Sequence, residues 1–185
     1  NLFDFLAIVT ETPPPPAEAE PRPGELGVRF EGVGFRYPGT ERWAVRNIDL
    51  FVPAGGSLAL VGENGAGKTT LVKLLTRLYE PTEGRVLLDG RDLRAWDVHE
   101  LRRRIGVLFQ DFGRYQLQLR ENVGFGDLAK IDDDVALDRA AHAGGAAEVL
   151  ARSPDGWSTQ LGRWFRGGVE LSGGEWQRVA LARAL

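Results

Sequence analysis

A glycine-rich loop at residues 62–69, with the sequence GENGAGKT, sets the first limit on the fold of this chain. The apolar run at 57–61 before it predicts a short buried strand, and the apolar spacing of 70–75 after it predicts a helix. Strand, glycine loop, Lys-Thr and helix form the context that a phosphate-binding loop requires. The glycines allow backbone N–H groups to point at an anion, and the helix adds the positive end of its dipole. We therefore predict a nucleoside triphosphate site.

Two side chains of the loop have predicted roles of their own. Lys68 can reach the terminal phosphates, and the Thr69 hydroxyl group can ligate Mg²⁺. The alternative is a glycine-rich turn that matches the pattern by chance, and the predicted strand and helix on either side argue against it.

Composition excludes several other kinds of site. The net charge of −3 offers no basic field for nucleic acid. The chain has no cysteine and only two histidines, which excludes disulfides, thiolate metal sites and a histidine-rich metal centre. No apolar run approaches the roughly 20 residues that span a bilayer. The chain contains no Met and begins with Asn1, so we expect it to be a piece of a longer protein.

The first 25 residues predict a tail and a linker. Residues 2–9 form a short apolar opening, which could end a helix of a preceding domain. An acidic run rich in Ala and Pro follows as far as Gly24, and such composition gives an extended, solvated linker. We place a domain boundary here. A disordered tail without a role is the alternative.

The segments around the loop predict further strands. Residues 26–37 predict one or two strands and 45–52 another, which together form an antiparallel β lobe ahead of the loop. After the loop, residues 84–90 predict a strand that ends in an Asp-Gly turn. A helix is predicted at 98–104. A second buried strand, at 105–109, would place Gln110 at its carboxyl end, the edge where ligands bind in open α/β sheets.

The remainder predicts a small helical lobe. Asp132 to Asp134 can cap a helix over residues 135–141, and Gly144-Gly145 breaks it before a second helix at about 146–152. Residues 176–185 predict a last helix, for which Ser172 is well suited as the N-cap.

Four motifs in this order resemble the ATP-binding-cassette ATPases: Tyr37, the loop at 62–69, Gln110 and Leu-Ser-Gly-Gly-Glu at 171–175. The last motif discriminates, because P-loop kinases and GTPases lack it. The resemblance implies an α/β fold, in which a P-loop NTPase core carries an N-terminal antiparallel β lobe and a small inserted helical lobe. Residues 26–185 would then be the N-terminal portion of one ATPase domain, with the helical lobe at about 127–175.

The resemblance also implies roles for individual residues. Tyr37 would stack on adenine with Val45 beside it, and Gln110 would touch Mg²⁺ and sense a transmembrane partner. Taken alone, Tyr37 could be a half-buried strand aromatic and Gln110 an ordinary polar residue. The residues implied for the nucleotide are Tyr37, Val45, Gly62, Asn64, Gly65, Ala66, Gly67, Lys68, Thr69 and Thr70, with Thr69 and Gln110 for Mg²⁺.

A second set of residues would serve the nucleotide of a partner. In this family two cassettes meet head to tail, and the helix after Leu-Ser-Gly-Gly faces the γ-phosphate held by the other cassette. The N-terminus of a capped helix suits an anion. The residues concerned are Ser172, Gly173, Gly174 and Glu175.

The opening segment and linker are most similar to exporters that fuse a transmembrane domain to the cassette. The implied place is the cytoplasmic face of a membrane, with ATP and Mg²⁺ as cofactors and no nucleic acid partner. Two alternatives stay open: a soluble cassette ATPase of DNA repair or translation, and a nucleotide-binding module that does not hydrolyse.

The family pattern is incomplete in these 185 residues. The strand ending in Asp, the catalytic Glu and the switch His would all follow Leu185, while His99 and His142 lie too early for that switch. We therefore predict no catalytic residue in this segment beyond Gln110 as a candidate for positioning water or Mg²⁺. The segment alone should bind nucleotide weakly and turn over essentially none.

Overall fold

The computed structural model of the protein describes residues 26–185, so the predicted tail and linker at 1–25 lie outside the described residues. The chain divides into two compact units, the first ending at Ile105 and the second covering Gly106–Leu185. The first unit combines an antiparallel sheet with helices, and the second is mainly helical. The predicted domain limits, 26–185 with a helical lobe at about 127–175, stay a prediction.

The described strands of the first unit form one four-stranded sheet, in the order β2-β1-β3-β4, and all neighbours are antiparallel. Val28 of β1 lies opposite Val52 of β2 on one side and Leu88 of β3 on the other. This arrangement confirms the antiparallel β lobe and the strand that ends in the Asp89-Gly90 turn. The strands are β1 (Gly27–Arg36), β2 (Trp43–Pro53), β3 (Glu83–Leu88) and β4 (Arg91–Asp92).

The core of this unit lies between the sheet and two helices, α1 (Lys68–Leu75) and α2 (Val98–Arg103). Both helices were predicted within two residues of these bounds. A register shift in β1 between Phe30 and Val33 brings Phe30, Val33 and Phe35 into the same buried cluster. The other buried members of the cluster are Val45, Leu74, Val86, Leu93 and Leu101.

The predictions of buried strands at 57–61 and 105–109 are wrong. Both runs lack regular secondary structure, and Val61 is 94% exposed. A strand exists only where a neighbouring strand accepts and donates its backbone hydrogen bonds. Among residues 26–185 no strand pairs with either run. The apolar composition indicated burial, but burial also needs a partner to cover it.

The second unit contains four α-helices in its described residues: α3 (Leu119–Gly124), α4 (Asp134–Ala143), α5 (Ala147–Arg152) and α6 (Gly173–Ala184). Asp133 caps α4 by accepting hydrogen bonds from the N–H groups of Val135 and Ala136, which confirms the predicted helix start. The helices enclose a core that includes Leu137, Leu161 and Trp176. Within residues 26–185 no helix has the length and apolar character needed to cross a membrane.

Candidate functional site

The glycine loop approaches β2 so closely that a side chain could not fit. Gly67 has a φ of +88°, in the left-handed region, and lies immediately before α1. A Cβ atom at Gly67 would lie 2.4 Å from Cγ1 of Val45 and 2.8 Å from the carbonyl oxygen of Ala44. Glycine is therefore required here both by backbone conformation and by space. The contact also shows that buried Val45 supports the loop from below.

The loop presents unpaired N–H groups. Residues 62–66 are exposed, and Ala66 closes a turn by donating to the carbonyl oxygen of Glu63 at 3.2 Å. The N–H groups of Asn64, Gly65 and Gly67 have no acceptor among residues 26–185. The first N–H groups of α1 also lack intrahelical acceptors, as at any helix start. This donor set, with the helix dipole behind it, suits an anion.

Lys68 is already directed at the loop. Its Nζ atom donates hydrogen bonds to the carbonyl oxygens of Gly62, at 2.6 Å, and Glu63, at 2.7 Å. An ammonium group has three N–H donors, so one remains for a ligand. The side chain thus stabilises the loop and brings a positive charge to it.

Tyr37 is connected to the helix that follows the loop. Its hydroxyl group lies 3.1 Å from Oγ1 of buried Thr70. Its ring meets the rings of Phe35 and Tyr79 nearly at right angles, with centroids 4.9 and 5.3 Å away. The Nζ atom of Lys73 lies over the Tyr37 ring, 5.4 Å from its centroid. Tyr79 and Lys73 were not among the predicted site residues, although Lys73 lies three residues after Thr70 and thus on the same helix face.

The start of α6 in the second unit is a complete capping box. Ser172 Oγ accepts a hydrogen bond from the N–H of Glu175 at 3.4 Å, and Glu175 Oε2 accepts one from the N–H of Ser172 at 2.7 Å. This confirms Ser172 as the N-cap. Gly173 and Gly174 are exposed, and a Cβ atom on either would meet nothing within 4 Å. The helix start therefore has open space in front of it.

Glu175 is held in its charged form. The N–H and hydroxyl groups of Ser172 lower the pKa of the Glu175 carboxyl to about 2, and a hydrogen-bonded ion pair with Arg152 adds to the effect. Arg152 ends α5, and no spacing rule in the sequence connects it with Glu175. Arg152 is therefore absent from the predicted site residues.

The two predicted Mg²⁺ ligands, Thr69 and Gln110, are both exposed. Thr69 stands at the start of α1 in the first unit, whereas Gln110 belongs to the second unit and follows no strand. The residues that the structure describes contain no cluster of three or more His, Asp or Glu side chains suited to a metal. The pairing of Thr69 with Gln110 at Mg²⁺ stays a prediction.

A partly buried arginine anchors the chain that follows Gln110. Arg183 of α6 donates to the carbonyl oxygens of Asn122, at 2.7 Å, and Gly113, at 3.1 Å, and its guanidinium lies over the ring of Tyr115. Burial lowers the pKa of Arg183. Carbonyl oxygens and the Tyr115 ring thus hold the Arg183 guanidinium. No pattern in the sequence predicted this contact.

Comparisons with known proteins agree on one family. A family model described as ABC transporter matches residues 45–185. The chain is 41% identical to the ATP-dependent lipid A-core flippase of Chromohalobacter salexigens, covering 100% of this chain and 31% of the flippase. It is 40% identical to the subtilin transport ATP-binding protein SpaT of Bacillus subtilis, over 85% of this chain and 26% of SpaT.

A solved structure gives the same result. The structure of a bacterial Atm1-family ABC exporter with ATP bound matches with a TM-score of 0.77 and 35% identity, over 99% of this chain and 31% of that one. The predicted α/β fold of a cassette ATPase is thereby confirmed. The chain spans about a third or less of the length of these relatives.

The lowered pKa of Glu175 predicts a pH-dependent contribution to stability. Its ordinary pKa is 4.5, so the folded state gains stability above that pH and loses it as the pH falls towards 2. We expect wild type to have a larger free energy of unfolding than Glu175→Gln at pH 7, and the difference to shrink between pH 4.5 and 2. Urea unfolding of both proteins at several pH values measures this. A difference that stays constant over that range would contradict the assignment.

Proposed function

The chain belongs to the ABC transporter family, and from that premise we propose that it is the ATP-binding part of a membrane exporter. In this role it would couple ATP binding and hydrolysis to the movement of a substrate across a membrane. The single observation that carries the proposal is the loop at 62–67, which is exposed at residues 62–66. It combines the unpaired N–H groups of Asn64, Gly65 and Gly67 with the ammonium group of Lys68. Names of relatives that include a flippase, a transport protein and an exporter support it.

The chemistry of the loop fits a triphosphate. The unpaired backbone N–H groups between Asn64 and Thr70, which exclude the N–H of Ala66, would bind the phosphate oxygens. Lys68 would supply a compensating charge without needing bidentate geometry. Tyr37 would stack on the adenine ring, as aromatic rings do on purine bases. Val45 lies against Gly67 of the loop, and it belongs to the apolar cluster on which Tyr37 packs.

Mg²⁺ would be held by hard oxygen ligands. The Thr69 hydroxyl group is exposed beside the loop and has the chemistry that this ion prefers, and the side-chain oxygen of Gln110 is the second candidate. When bound, the ion neutralises charge on the phosphates. This chain would contribute the two neutral oxygen ligands.

A second copy of the domain, or a related one, is the proposed partner in a head-to-tail dimer. The start of α6, with Ser172, Gly173 and Gly174, would bind the γ-phosphate held by the partner's loop. The open space in front of both glycines and the helix dipole support this role. Because ADP lacks the γ-phosphate, only ATP would join the two halves. A transmembrane domain is the other proposed partner, which would hold this chain at the cytoplasmic face of the membrane.

The residues proposed for the site contain one carboxylate, Glu175, and it is poorly suited to act as a base. Its oxygens accept hydrogen bonds from Ser172 and Arg152, and its pKa of about 2 makes it a weak proton acceptor at neutral pH. We therefore propose that residues 1–185 supply binding groups and no general base. Phosphoryl transfer would depend on positioning by these groups.

Substitution of Lys68 tests the nucleotide site. Loss of charge-assisted hydrogen bonds to phosphate in Lys68→Ala should lower the affinity for Mg-ATP by about tenfold or more. Isothermal titration calorimetry measures the affinity. Lys130→Ala is the matched control, because Lys130 is an exposed lysine paired with Asp127 at 2.9 Å in the second unit. Equal affinities of wild type and Lys68→Ala would overturn the site.

Substitution of Gly174 tests the partner contact. An Asp at this position fits the open space and favours the first turn of a helix, so Gly174→Asp should fold as stably as wild type. Its negative charge should repel a γ-phosphate and abolish dimer formation in Mg-ATP, measured by sedimentation with Mg-ADP as reference. The uncharged Gly174→Asn should retain more of the dimer. ATP-dependent dimers of Gly174→Asp equal to wild type would refute the proposed role of this helix.

An assay of hydrolysis tests the remaining proposal. The 185-residue chain should release phosphate from Mg-ATP barely above the uncatalysed background, because it lacks a free carboxylate base among the proposed site residues. Lys68→Ala provides the baseline, since any turnover by this site requires bound nucleotide. Turnover typical of an enzyme, absent in Lys68→Ala, would show that the chain contains its own catalytic group.

A further inference from the structure

The hydroxyl groups of Tyr37 and Thr70 form a direct link between the sheet and the helix behind the glycine loop. They lie 3.1 Å apart, within hydrogen-bond distance. Tyr37 directly follows β1, and Thr70 belongs to the first turn of α1. Thr70 is only 5% exposed, so a lost partner would leave its hydroxyl group without a hydrogen bond in a buried place.

The aromatic surroundings of Tyr37 restrict its ring further. Phe35 and Tyr79 pack against it at interplanar angles of 79° and 85°, and Lys73 lies over it. Stacking on a base requires an aromatic ring and does not require a hydroxyl group. The Tyr37 hydroxyl group is therefore available for a different task, and the structure uses it to bind Thr70.

We propose that Thr70 is a positioning residue for base recognition. Its hydroxyl group holds the Tyr37 ring in the place where the base stacks, so that the site prefers a nucleoside triphosphate to a bare polyphosphate. This inference rests on the proposed function, in which Tyr37 stacks on adenine. Thr70 would then have two separable roles, because in the proposed site its backbone N–H group binds the phosphates while its side chain positions the ring that stacks on the base.

Two probes separate these roles: Mg-ATP, which has a base, and Mg-tripolyphosphate, which has none. In Thr70→Val the side chain keeps its shape and loses its hydroxyl group, while the backbone N–H stays. We expect calorimetry on the full chain to show an affinity for Mg-ATP lowered by about threefold to tenfold, as for one lost hydrogen bond. The affinity for tripolyphosphate should change by less than about twofold. Thr70→Ser should restore ATP affinity.

The reciprocal variant, Tyr37→Phe, removes the other half of the link and keeps the ring. It should lower ATP affinity by the same factor as Thr70→Val. The double variant should be no weaker than either single one, because each change already breaks the same bond. The midpoint of urea unfolding shows whether each variant folds. If Thr70→Val does not fold, Tyr37→Phe still tests whether the hydrogen bond contributes to ATP binding.

Matched controls come from the same elements. Thr76→Val makes the same change at the end of α1, where the buried Thr76 hydroxyl group donates to the carbonyl oxygens of Val72 and Lys73. Tyr79→Phe removes a tyrosine hydroxyl group, as Tyr37→Phe does, from a ring that packs against Tyr37. The Tyr79 hydroxyl group has no hydrogen bond within residues 26–185. Both controls should leave the ratio of the ATP and tripolyphosphate affinities unchanged.

Four outcomes overturn the inference. Equal losses for ATP and tripolyphosphate in Thr70→Val would assign the Thr70 side chain to the phosphates. Unchanged ATP affinity in both Thr70→Val and Tyr37→Phe would show that the link has no role in binding. Wild type that binds tripolyphosphate as well as ATP would refute base stacking by Tyr37. Failure of wild type to bind either probe would instead refute the phosphate site itself, and the inference with it.

Discussion

The contact between Gly67 and β2 determines the geometry of the first unit around its loop. A Cβ atom at Gly67 would collide with Val45 and with the backbone of Ala44, so the start of α1 can lie against the strand only when this residue is glycine. The N–H groups of Asn64, Gly65 and Gly67 have no acceptor among residues 26–185, and the first N–H groups of α1 have none within the helix. The close approach of α1 to β2 also brings Thr70 within reach of Tyr37. The exposed donors on which the proposed nucleotide site depends thus follow from a packing constraint.

The two helix starts proposed to bind nucleotide differ in whether a side chain accepts hydrogen bonds from their first N–H groups. α1 begins after Gly67, which has no side chain to cap the helix, so its first N–H groups are left for a ligand. α6 begins after Ser172, and its capping box with Glu175 already satisfies the N–H groups of both residues. The second start therefore offers fewer free donors and gains rigidity in exchange. A preformed helix end suits the proposed role, in which this surface would bind a partner's nucleotide and release it.

Local signals in the sequence predicted local structure well. Asp133, Ser172 and the Asp89-Gly90 turn act through neighbours within a few residues, and all three lie where they were expected. The predicted strands at 57–61 and 105–109 failed because a strand depends on a partner whose position the sequence does not encode locally. The same reason explains the missed contacts. Arg152 with Glu175 and Arg183 with Asn122 join residues far apart in the chain, and no periodicity connects them.

The failure at 57–61 also shows where the loop obtains its shape. The run before the loop is exposed and forms no strand, yet the loop keeps positive φ angles at Gly65 and Gly67 and the contact of Lys68 with its carbonyl oxygens. The conformation therefore arises from the glycines, from Val45 beneath Gly67 and from the ammonium group that bridges the first two loop residues. A strand ahead of the loop would fix the position of the loop relative to a larger sheet. The loop conformation itself depends on contacts within residues 44–70. This explains why a short sequence motif alone could predict it.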